Sequence, residues 1–371
     1  MIVPIEGVPR DYAWGSTTAI QRLLGIPEDG RPIAELWFGG HPDDPSPVGA
    51  STLDALLATD PDALLGRAAV ERFGPRLPFL LKVLAAGTPL SIQVHPTLDQ
   101  ARDGFAREDA AGIPRTAANR NYRDANHKPE LLCALTPFTA LCGFRAPERT
   151  LALLDELAIP ELGFLRDLLH GSDPLRRAFT GVLELPDPEP AIAALTRRAA
   201  GAQGGPLHAA RLAAEHFPHD SGVLLTLLLN DVVLQPGEAI FLGAGNVHAY
   251  LHGTGVEIMA NSDNVLRCGL TPKHVDVPEL LRITDFHPLL EPLVEDTGGR
   301  FAVPVPDFAL TRLELEEPTG LDDPGPCIVL CTDGIAAVGE LALHPGHAAF
   351  VPAGEATTIS GDGTVFVAST G

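Results

Sequence analysis

Two side chains that can bind a metal ion interrupt an apolar strand pattern at residues 91–96, SIQVHP. Gln93 and His95 are two residues apart, so a strand places both on one face, together with Ser91. The plainer alternative is a half-buried strand whose polar face meets water. The pattern therefore indicates either a solvated face or two metal ligands delivered by one strand.

Further metal-binding side chains occur where the pattern is otherwise that of a core. Glu130 begins the apolar run ELLCAL, two residues after Lys128. His248, Tyr250 and His252 alternate directly after the Gly-rich turn GAGN. Two imidazoles, a carboxylate and an amide oxygen suit zinc with an open coordination position, and the same donors also accept manganese, cobalt or iron. These residue types indicate a divalent metal site, although spacing alone does not define it.

The charge balance limits what the protein can bind. The 371 residues include 48 acidic and 26 basic side chains, for a formal net charge of -22. Nucleic acids and anionic membranes are bound through basic patches, so the composition argues against both partners. An anionic small molecule would need a local basic pocket. Only three basic residues are lysines, Lys82, Lys128 and Lys273, and lysine offers the compact point charge that arginine does not.

Cysteine usage and hydropathy predict the compartment. The five cysteines are odd in number and show no CxxC pair, which is typical of a reduced protein. The segment MIVPIEGVPRDYAWG lacks a basic stretch followed by a long apolar core, and no apolar run reaches membrane-spanning length. The sequence therefore predicts a cytoplasmic protein, and the absence of an obvious assembly element favours a monomer.

Short apolar runs punctuated by Pro and Gly dominate both ends of the chain. They predict strands of an antiparallel sandwich or barrel before about residue 145, at 232–267 and from about residue 300 to the end, with helical insertions at 52–66 and 97–106. Between roughly 147 and 230, Leu and Ala recur at three- and four-residue spacing, as in ERTLALLDELAI. This spacing predicts a helical segment.

Two segments in the strand regions resemble each other. LQPGEAIFLGAGNVHAY and LHPGHAAFVPAGEATTI each run strand, Pro-Gly turn, strand, small-residue turn, strand. Such a repeat indicates two related β-barrels. Only the first copy carries a histidine after its second turn, so the second barrel is expected to be structural.

The residues described above resemble the type I mannose-6-phosphate isomerases, or phosphomannose isomerases. The matching stretches keep their order across essentially the whole chain. They are YAWGS at 12–16, AELWFGGHP at 34–42, LPFLLKVLAAGTPLSIQVHP at 77–96, NYRDANHKPELLCALTPFTALCGFR at 121–145, and GNVHAYLHGTGVEIMANSDNVLRCGLTPKHVDVPELL at 245–281.

The resemblance implies a zinc enzyme of the cupin superfamily that interconverts mannose 6-phosphate and fructose 6-phosphate. The implied fold is mainly β with a helical insertion: two cupin-type jelly-roll barrels plus an α-helical lobe. Its expected domains are a catalytic cupin domain from 1–146 and 226–298, a helical domain at 147–225, and a C-terminal cupin-like β domain at 299–371.

The family's site maps onto this sequence residue by residue. The implied ligands of one Zn²⁺ are Gln93 and His95 in the SIQ-x-HP motif, Glu130 in NHKPE, and His248 after the Gly-Asn turn. Isomerisation of an aldose to a ketose passes through an enediol and needs a proton carrier and charge stabilisation. Matching positions imply Glu257 and Asp263 as candidate proton carriers, and His95 and Lys128 are further candidates for this role. Arg267 matches the catalytic arginine of the family. The implied substrate-binding residues are Ser91, Lys82, Lys273, Tyr250 and Trp14.

Two other functions compete with this hypothesis. A cupin oxygenase would need a redox metal and normally more histidines. A non-catalytic phosphosugar-binding cupin would be expected to lack Arg267 or a ligand, and every one is present. One departure from the family is that Thr97 and Leu98 replace the Asn or Asp and the Lys that many members carry there, which removes a positive charge from the pocket rim.

Overall fold

A computed structural model describes residues 1–321 and 325–371 and shows a mix of sheets and helices. The helices are α1 (Ala19–Leu23), α2 (Leu53–Leu57), α3 (Pro61–Leu65), α4 (Arg67–Phe73), α5 (Leu98–Ala110), α6 (Pro147–Leu157), α7 (Gly163–Leu169), α8 (Pro174–Leu183), α9 (Glu189–Ala199), α10 (Gly205–His216), α11 (Gly222–Leu225) and α12 (Val277–Ile283), with a 3-10 turn at Pro160–Leu162. Within the described residues, no helix has the length and apolar character that a membrane span requires.

The strands fall into two large antiparallel sheets and one small pair. They are β1 (Val3–Ile5), β2 (Val8–Arg10), β3 (Glu35–Phe38), β4 (Pro47–Val48), β5 (Ser51–Thr52), β6 (Phe79–Ala86), β7 (Ile92–Val94), β8 (Glu130–Ala134), β9 (Phe138–Phe144), β10 (Leu229–Leu234), β11 (Ala239–Leu242), β12 (His248–Ala260), β13 (Leu266–Gly269), β14 (Asp296–Thr297), β15 (Arg300–Phe301), β16 (Ala309–Leu315), β17 (Thr319–Leu321), β18 (Cys327–Val338), β19 (Leu341–Leu343), β20 (Ala348–Val351) and β21 (Thr357–Ser369).

The first sheet is organised around β12. This strand pairs with β6, β7, β8 and β9, and the path through the sheet runs β10-β9-β12-β6-β3-β2. All eight residues of β6 are buried, and seven of them are apolar, which is typical of a strand covered on both faces. The exception is Lys82, so the fold places a charge in the interior.

The second sheet runs β1-β20-β18-β21-β16-β15-β14. Its first strand, β1, comes from the N-terminus of the chain, because residues 3–5 pair with residues 348–350. One hydrophobic cluster contains Phe38 and Phe79 from the first sheet and Phe350 and Phe366 from the second. The two sheets therefore share a core.

The helical segment between β9 and β10 packs against the first sheet in one apolar cluster, which includes Phe179 from the helices and Ile92, Leu141 and Leu266 from the strands. In α8 the buried residues are Leu175, Ala178, Phe179 and Val182, the i, i+3, i+4, i+7 pattern of an amphipathic helix. Ahead of this segment, Thr97 caps α5: its hydroxyl accepts from the Gln100 N–H at 3.2 Å, and the Gln100 side chain accepts from the Thr97 N–H at 2.9 Å. This reciprocal cap gives residue 97 a structural role at the helix start.

Candidate metal centre

Residues from three strands of the first sheet form one row at the site. His248 on β12 faces Gln93 on β7, and Gln93 in turn faces Arg267 on β13. Residues that face each other across antiparallel strands lie side by side on one face of the sheet. His95 follows β7 directly, and its ring centroid is 5.1 Å from that of His248. Strand register therefore brings Gln93 next to residues that are 155 and 174 positions away in the sequence.

A second row crosses β3, β6, β12 and β8. Glu257 on β12 faces Lys82 on β6 and Leu132 on β8, and Lys82 faces Trp37 on β3. Glu130 lies two residues before Leu132, so it shares the same face of β8. The register of β12 against both neighbours thus carries a lysine and two glutamates into the interior beside the histidines.

A glycine turn connects the two histidine-bearing segments. Gly245 has φ of +78°, the left-handed conformation that glycine adopts at low cost. Its N–H donates to the carbonyl oxygen of His95 at 2.9 Å, and a Cβ at this position would lie 2.9 Å from the Cβ of Asp285. The Gly-rich turn recognised in the sequence therefore fixes the start of β12, and with it His248, against His95.

The four predicted metal ligands meet at one point. The donor atoms of His95, Glu130 and His248 lie within 4.8 Å of one another, and all three side chains are buried. Nε2 of His95 is 3.5 Å from Glu130 Oε1, and Nε2 of His248 is 3.4 Å from Glu130 Oε2. The amide of Gln93 completes the group, with its Nε2 3.3 Å from His248 Nε2.

Backbone carbonyls hold both imidazole rings in the orientation that a metal ion requires. Nδ1 of His95 donates to the carbonyl oxygen of Asn264 at 2.7 Å, and Nδ1 of His248 donates to that of Asn246 at 3.0 Å. A ring with its proton on Nδ1 carries a lone pair on Nε2, as in metal-binding histidines. Among the described residues, His95 Nε2 and Glu130 Oε2 are buried without a hydrogen-bond partner. A buried imidazole nitrogen and a buried carboxylate oxygen that lack a hydrogen-bond partner are suitable ligand atoms for a divalent cation.

Burial and charge put the same groups in the protonation states that bind metal. Burial lowers the pKa of His95 to about 4, against the opposing attraction of Glu130. Burial by itself raises the pKa of Glu130. The Lys128 ammonium, 2.8 Å from Oε1, and His95 have a larger opposite effect, so the pKa of Glu130 lies well below its ordinary value. A neutral imidazole and an ionised carboxylate are the ligand forms.

We expect the metal-free protein to lose stability as the pH falls from about 6.5 towards 4. The pKa of His95 is about 4 in the folded protein and about 6.5 in the unfolded chain. Between these values the unfolded state binds a proton that the folded state excludes, so the free energy of unfolding decreases by up to about 3 kcal/mol. Denaturant titrations between pH 4 and 7 measure this slope. The His95→Gln variant should flatten it, and an unchanged slope in that variant would contradict the assignment.

Lys82 lies between two buried carboxylates. Its Nζ is 3.1 Å from Glu257 Oε2 and 3.6 Å from Glu35 Oε1. The Tyr250 hydroxyl donates to Glu257 Oε1 at 2.8 Å, and Trp37 Nε1 donates to Glu35 Oε2 at 2.7 Å. Burial lowers the pKa of Lys82, but the two carboxylates raise it by more, so the net pKa exceeds the ordinary value and the ammonium stays charged.

Glu257 is the carboxylate of this network with the properties of a proton carrier. Burial raises its pKa; the Lys82 ammonium opposes the shift, and the carboxylates of Glu130 and Glu35 reinforce it. A raised carboxyl pKa moves towards the range in which a general base works efficiently near neutral pH.

Arg267, which faces Gln93 across the strands, is influenced by a second arginine, Arg123, and both influence Lys273. Burial lowers the pKa of Arg267, and the guanidinium of Arg123 lowers it further. Burial, then Arg267 and Arg123, lower the pKa of Lys273 in the same way. In the part of the chain that the structure describes, no carboxylate opposes either shift. Neighbouring cations without counter-charges attract an anion.

Three further predicted residues, Ser91, Asp263 and Trp14, have other surroundings. Ser91 is half-buried just before β7. Asp263 is partly exposed, with Oδ1 3.8 Å from Nε2 of the buried His41. Trp14 is half-buried and stacks on Tyr12, with ring centroids 5.7 Å apart. No hydrogen bond or ion pair within residues 1–321 and 325–371 joins these three predicted residues to the metal ligands.

Three residues of the site were missed by sequence reasoning. Glu35 had a usable signal, because it is a charge inside the apolar run AELWFG, as Lys82 is in its own strand. Arg123 stands in the NYRDANHKPE stretch, but its proximity to Arg267 depends on the fold. Asn264 had no signal, because it contacts His95 through a backbone carbonyl.

Comparison with known proteins supplies the family. The model of the type I phosphomannose isomerase catalytic domain matches residues 2–147. Mannose-6-phosphate isomerase of Escherichia coli (strain K12) is 42% identical over 375 residues, which cover 95% of this chain and 96% of that protein. The Homo sapiens protein of the same name is 34% identical, covering 85% and 82%. The solved structure of the Salmonella typhimurium mannose 6-phosphate isomerase with substrate (fructose 6-phosphate) and zinc bound has a TM-score of 0.92 at 39% identity, covering 100% of this chain and 99% of that one.

Proposed function

The chain belongs to the type I phosphomannose isomerase family, and on this premise we propose that it interconverts mannose 6-phosphate and fructose 6-phosphate. The observation that carries the proposal is the convergence of His95, Glu130 and His248, buried and with donor atoms within 4.8 Å. The family predicted from the sequence motifs is confirmed by the full-length match to known members.

Zinc is the metal ion that suits this site. Two neutral imidazole nitrogens and an ionised carboxylate are its usual ligands, and a relative of matching structure binds it. Gln93 offers a fourth donor after a half-turn of its amide, which exchanges Nε2 for Oε1. Bound zinc supplies a Lewis acid that polarises the carbonyl and hydroxyl oxygens of the sugar.

The chain's own residues must move a proton between C1 and C2. We assign this to Glu257, whose carboxylate is held by Tyr250 and Lys82 at 2.8 and 3.1 Å, with Asp263 as the second candidate. Lys128, paired with Glu130 at 2.8 Å, stands beside the ligands and is assigned to proton donation to a sugar oxygen. Deuterium incorporation from D2O in Glu257→Gln and Asp263→Asn variants distinguishes the two carboxylates.

Substrate binding requires cations in an acidic protein. Arg267, next to Gln93 across the strands, is assigned to the charge that develops on the enediol oxygens. The residues assigned to binding the phosphosugar are Ser91, Lys82, Lys273, Tyr250 and Trp14. The cationic surroundings of Lys273, which include Arg123, support a phosphate position on that side of the site.

The isomerase proposal is tested by removing and restoring the metal. We expect the protein to convert mannose 6-phosphate to fructose 6-phosphate, a chelator to stop the reaction, and added zinc to restore it, all followed by NMR. Chelator saturated with zinc beforehand is the control and should have no effect. Full turnover by protein shown to be metal-free would contradict the zinc assignment. Phosphosugar binding without turnover by zinc-loaded protein would instead support a non-catalytic cupin.

We also propose the finer architecture. The strand, turn, strand segments β10 to β12 and β19 to β21 correspond in order and spacing, which supports two cupin-type jelly-roll barrels. The first proposed domain consists of 1–146 and 226–298, the second of 147–225, and the third of 299–371. Strand β1 lies within the first range but pairs with β20 of the third domain, so we assign it to the third. Limited proteolysis should cut first near these boundaries.

A cytoplasmic monomer is proposed for the assembly and location. All five cysteines are free and buried, which suits a reducing compartment. The exposed large hydrophobic side chains of the described residues are Met1, Tyr12, Ile26, Val233, Leu290, Leu293 and Ile335, of which Leu290 and Leu293 alone are close together in the sequence. Light scattering during size-exclusion chromatography should therefore give the mass of one chain.

A further inference from the structure

Asn264 lies just before β13 and is completely buried. Its backbone carbonyl accepts the Nδ1–H of His95 at 2.7 Å, the contact that leaves Nε2 of His95 free to bind metal. No side-chain substitution removes a backbone carbonyl, so the position of this acceptor depends on what holds residue 264 in place.

The Asn264 side chain connects residue 264 to the loop that precedes β8. Its Oδ1 accepts from the backbone N–H groups of Arg123 and Asp124 at 2.7 and 3.2 Å. Its Nδ2 donates to the carbonyl oxygens of Asp124 and Asn126 at 2.9 and 2.8 Å. Both lone-pair positions and both N–H groups of the amide are therefore used.

The carboxylate of Asp124 fastens the same two segments a second time. Its Oδ1 accepts from the Ser262 hydroxyl at 2.9 Å, and its Oδ2 accepts from the Asp263 N–H at 2.7 Å. The loop continues through Lys128 to Glu130, so one of the joined segments leads to a predicted metal ligand and to the lysine that lowers the pKa of that ligand. The other segment carries the backbone carbonyl that accepts the hydrogen bond of His95.

We propose that Asn264 is a positioning residue of the metal centre. Its amide locks residues 123–126 to the carbonyl that orients His95, so that His95 and Glu130 keep their spacing before metal binds. The same lock holds the backbone of Arg123, which lies close enough to Arg267 and Lys273 to lower the pKa of each. The effect on turnover rests on the proposed isomerase function, whereas the effect on zinc affinity does not.

The matched control is Asn230, a second buried asparagine, which lies on β10. Its Nδ2 also donates to backbone carbonyls, those of Cys142 and Leu289 at 3.1 and 2.9 Å, and none of its hydrogen bonds within the described residues goes to a metal ligand. An Asn230→Ala variant therefore reports the cost of losing a buried amide without disturbing the orientation of His95.

The experiment compares zinc affinity, by competition with a chromophoric chelator, in Asn264→Ala, Asn264→Asp and Asn230→Ala. We expect the Asn264 variants to bind zinc about 10-fold to 100-fold more weakly and to lose kcat by a similar factor. Asn230→Ala should keep wild-type zinc affinity while its metal-free melting temperature falls. Asn264→Asp keeps an oxygen that can accept from the N–H groups of Arg123 and Asp124. It is the variant to measure if Asn264→Ala does not fold.

Wild-type zinc affinity in a folded Asn264 variant would overturn the proposal, as would an equal loss of affinity in Asn230→Ala. The readouts also separate this inference from the isomerase proposal. If the wild-type protein binds zinc but does not isomerise mannose 6-phosphate, the function fails while the affinity comparison still tests Asn264.

Discussion

Substitution of Glu130 by glutamine is expected to abolish zinc retention and to lower isomerase turnover by at least about 1000-fold. The change keeps the size of the side chain but removes the carboxylate whose oxygens lie 3.5 and 3.4 Å from the two imidazole nitrogens. It also leaves the Lys128 ammonium, 2.8 Å away and buried, without its counter-charge, and that ammonium then repels a divalent cation. A Lewis acid contributes several kcal/mol to transition-state stabilisation, and about 4 kcal/mol corresponds to 1000-fold.

Zinc content by elemental mass spectrometry and kcat by a coupled assay measure the two effects. The control is Glu108→Gln, because Glu108 is also buried but accepts from the backbone N–H groups of Asn121 and Tyr122 and pairs with Arg120. It should lower stability and keep zinc. If Glu130→Gln retained stoichiometric zinc and turned over normally, the metal centre described here would be wrong.

Substitution of Arg267 by alanine is expected to lower kcat about 100-fold while zinc stays bound. Arg267 is next to Gln93 across the strands and is not one of the residues whose donor atoms converge, so its loss should leave the metal in place. In the variant, the negative charge that develops on the enediol oxygens in the transition state loses a hydrogen-bond donor. This donor stabilises the ground state less, so kcat falls. Because the substitution also removes a cation near Lys273 and Arg123, KM for the phosphosugar should rise as well.

Two variants separate a catalytic from a structural loss at this position. Arg267→Lys keeps the positive charge and should recover part of kcat, although a single ammonium does not replace the planar fork. Arg145→Ala removes a buried arginine that bonds the Leu227 carbonyl and Asp231, so it should affect stability and leave zinc-loaded kcat nearly unchanged. Near-normal turnover by zinc-loaded Arg267→Ala would remove Arg267 from the mechanism.

Much of the site could be inferred from the sequence because strand periodicity is a local property. The alternation in SIQVHP puts Gln93 and His95 on one face, and an isolated charge such as Lys82 within an apolar strand indicates a polar partner inside the fold. Motifs that match a known family then supplied the metal, the reaction and the helical interruption, and the family and its reaction are supported by the comparisons.

The partners of these residues were decided only by the tertiary structure. Lys82 is held by Glu35 and Glu257, which lie on the two strands that flank β6. His95 is oriented by a carbonyl 169 residues away. A local pattern shows which face of a strand a side chain occupies, but the register between strands and the contacts between loops depend on how distant segments pair. The candidate ligands and Lys128 could therefore be predicted from the sequence, whereas the backbone carbonyls that orient the two histidines could not.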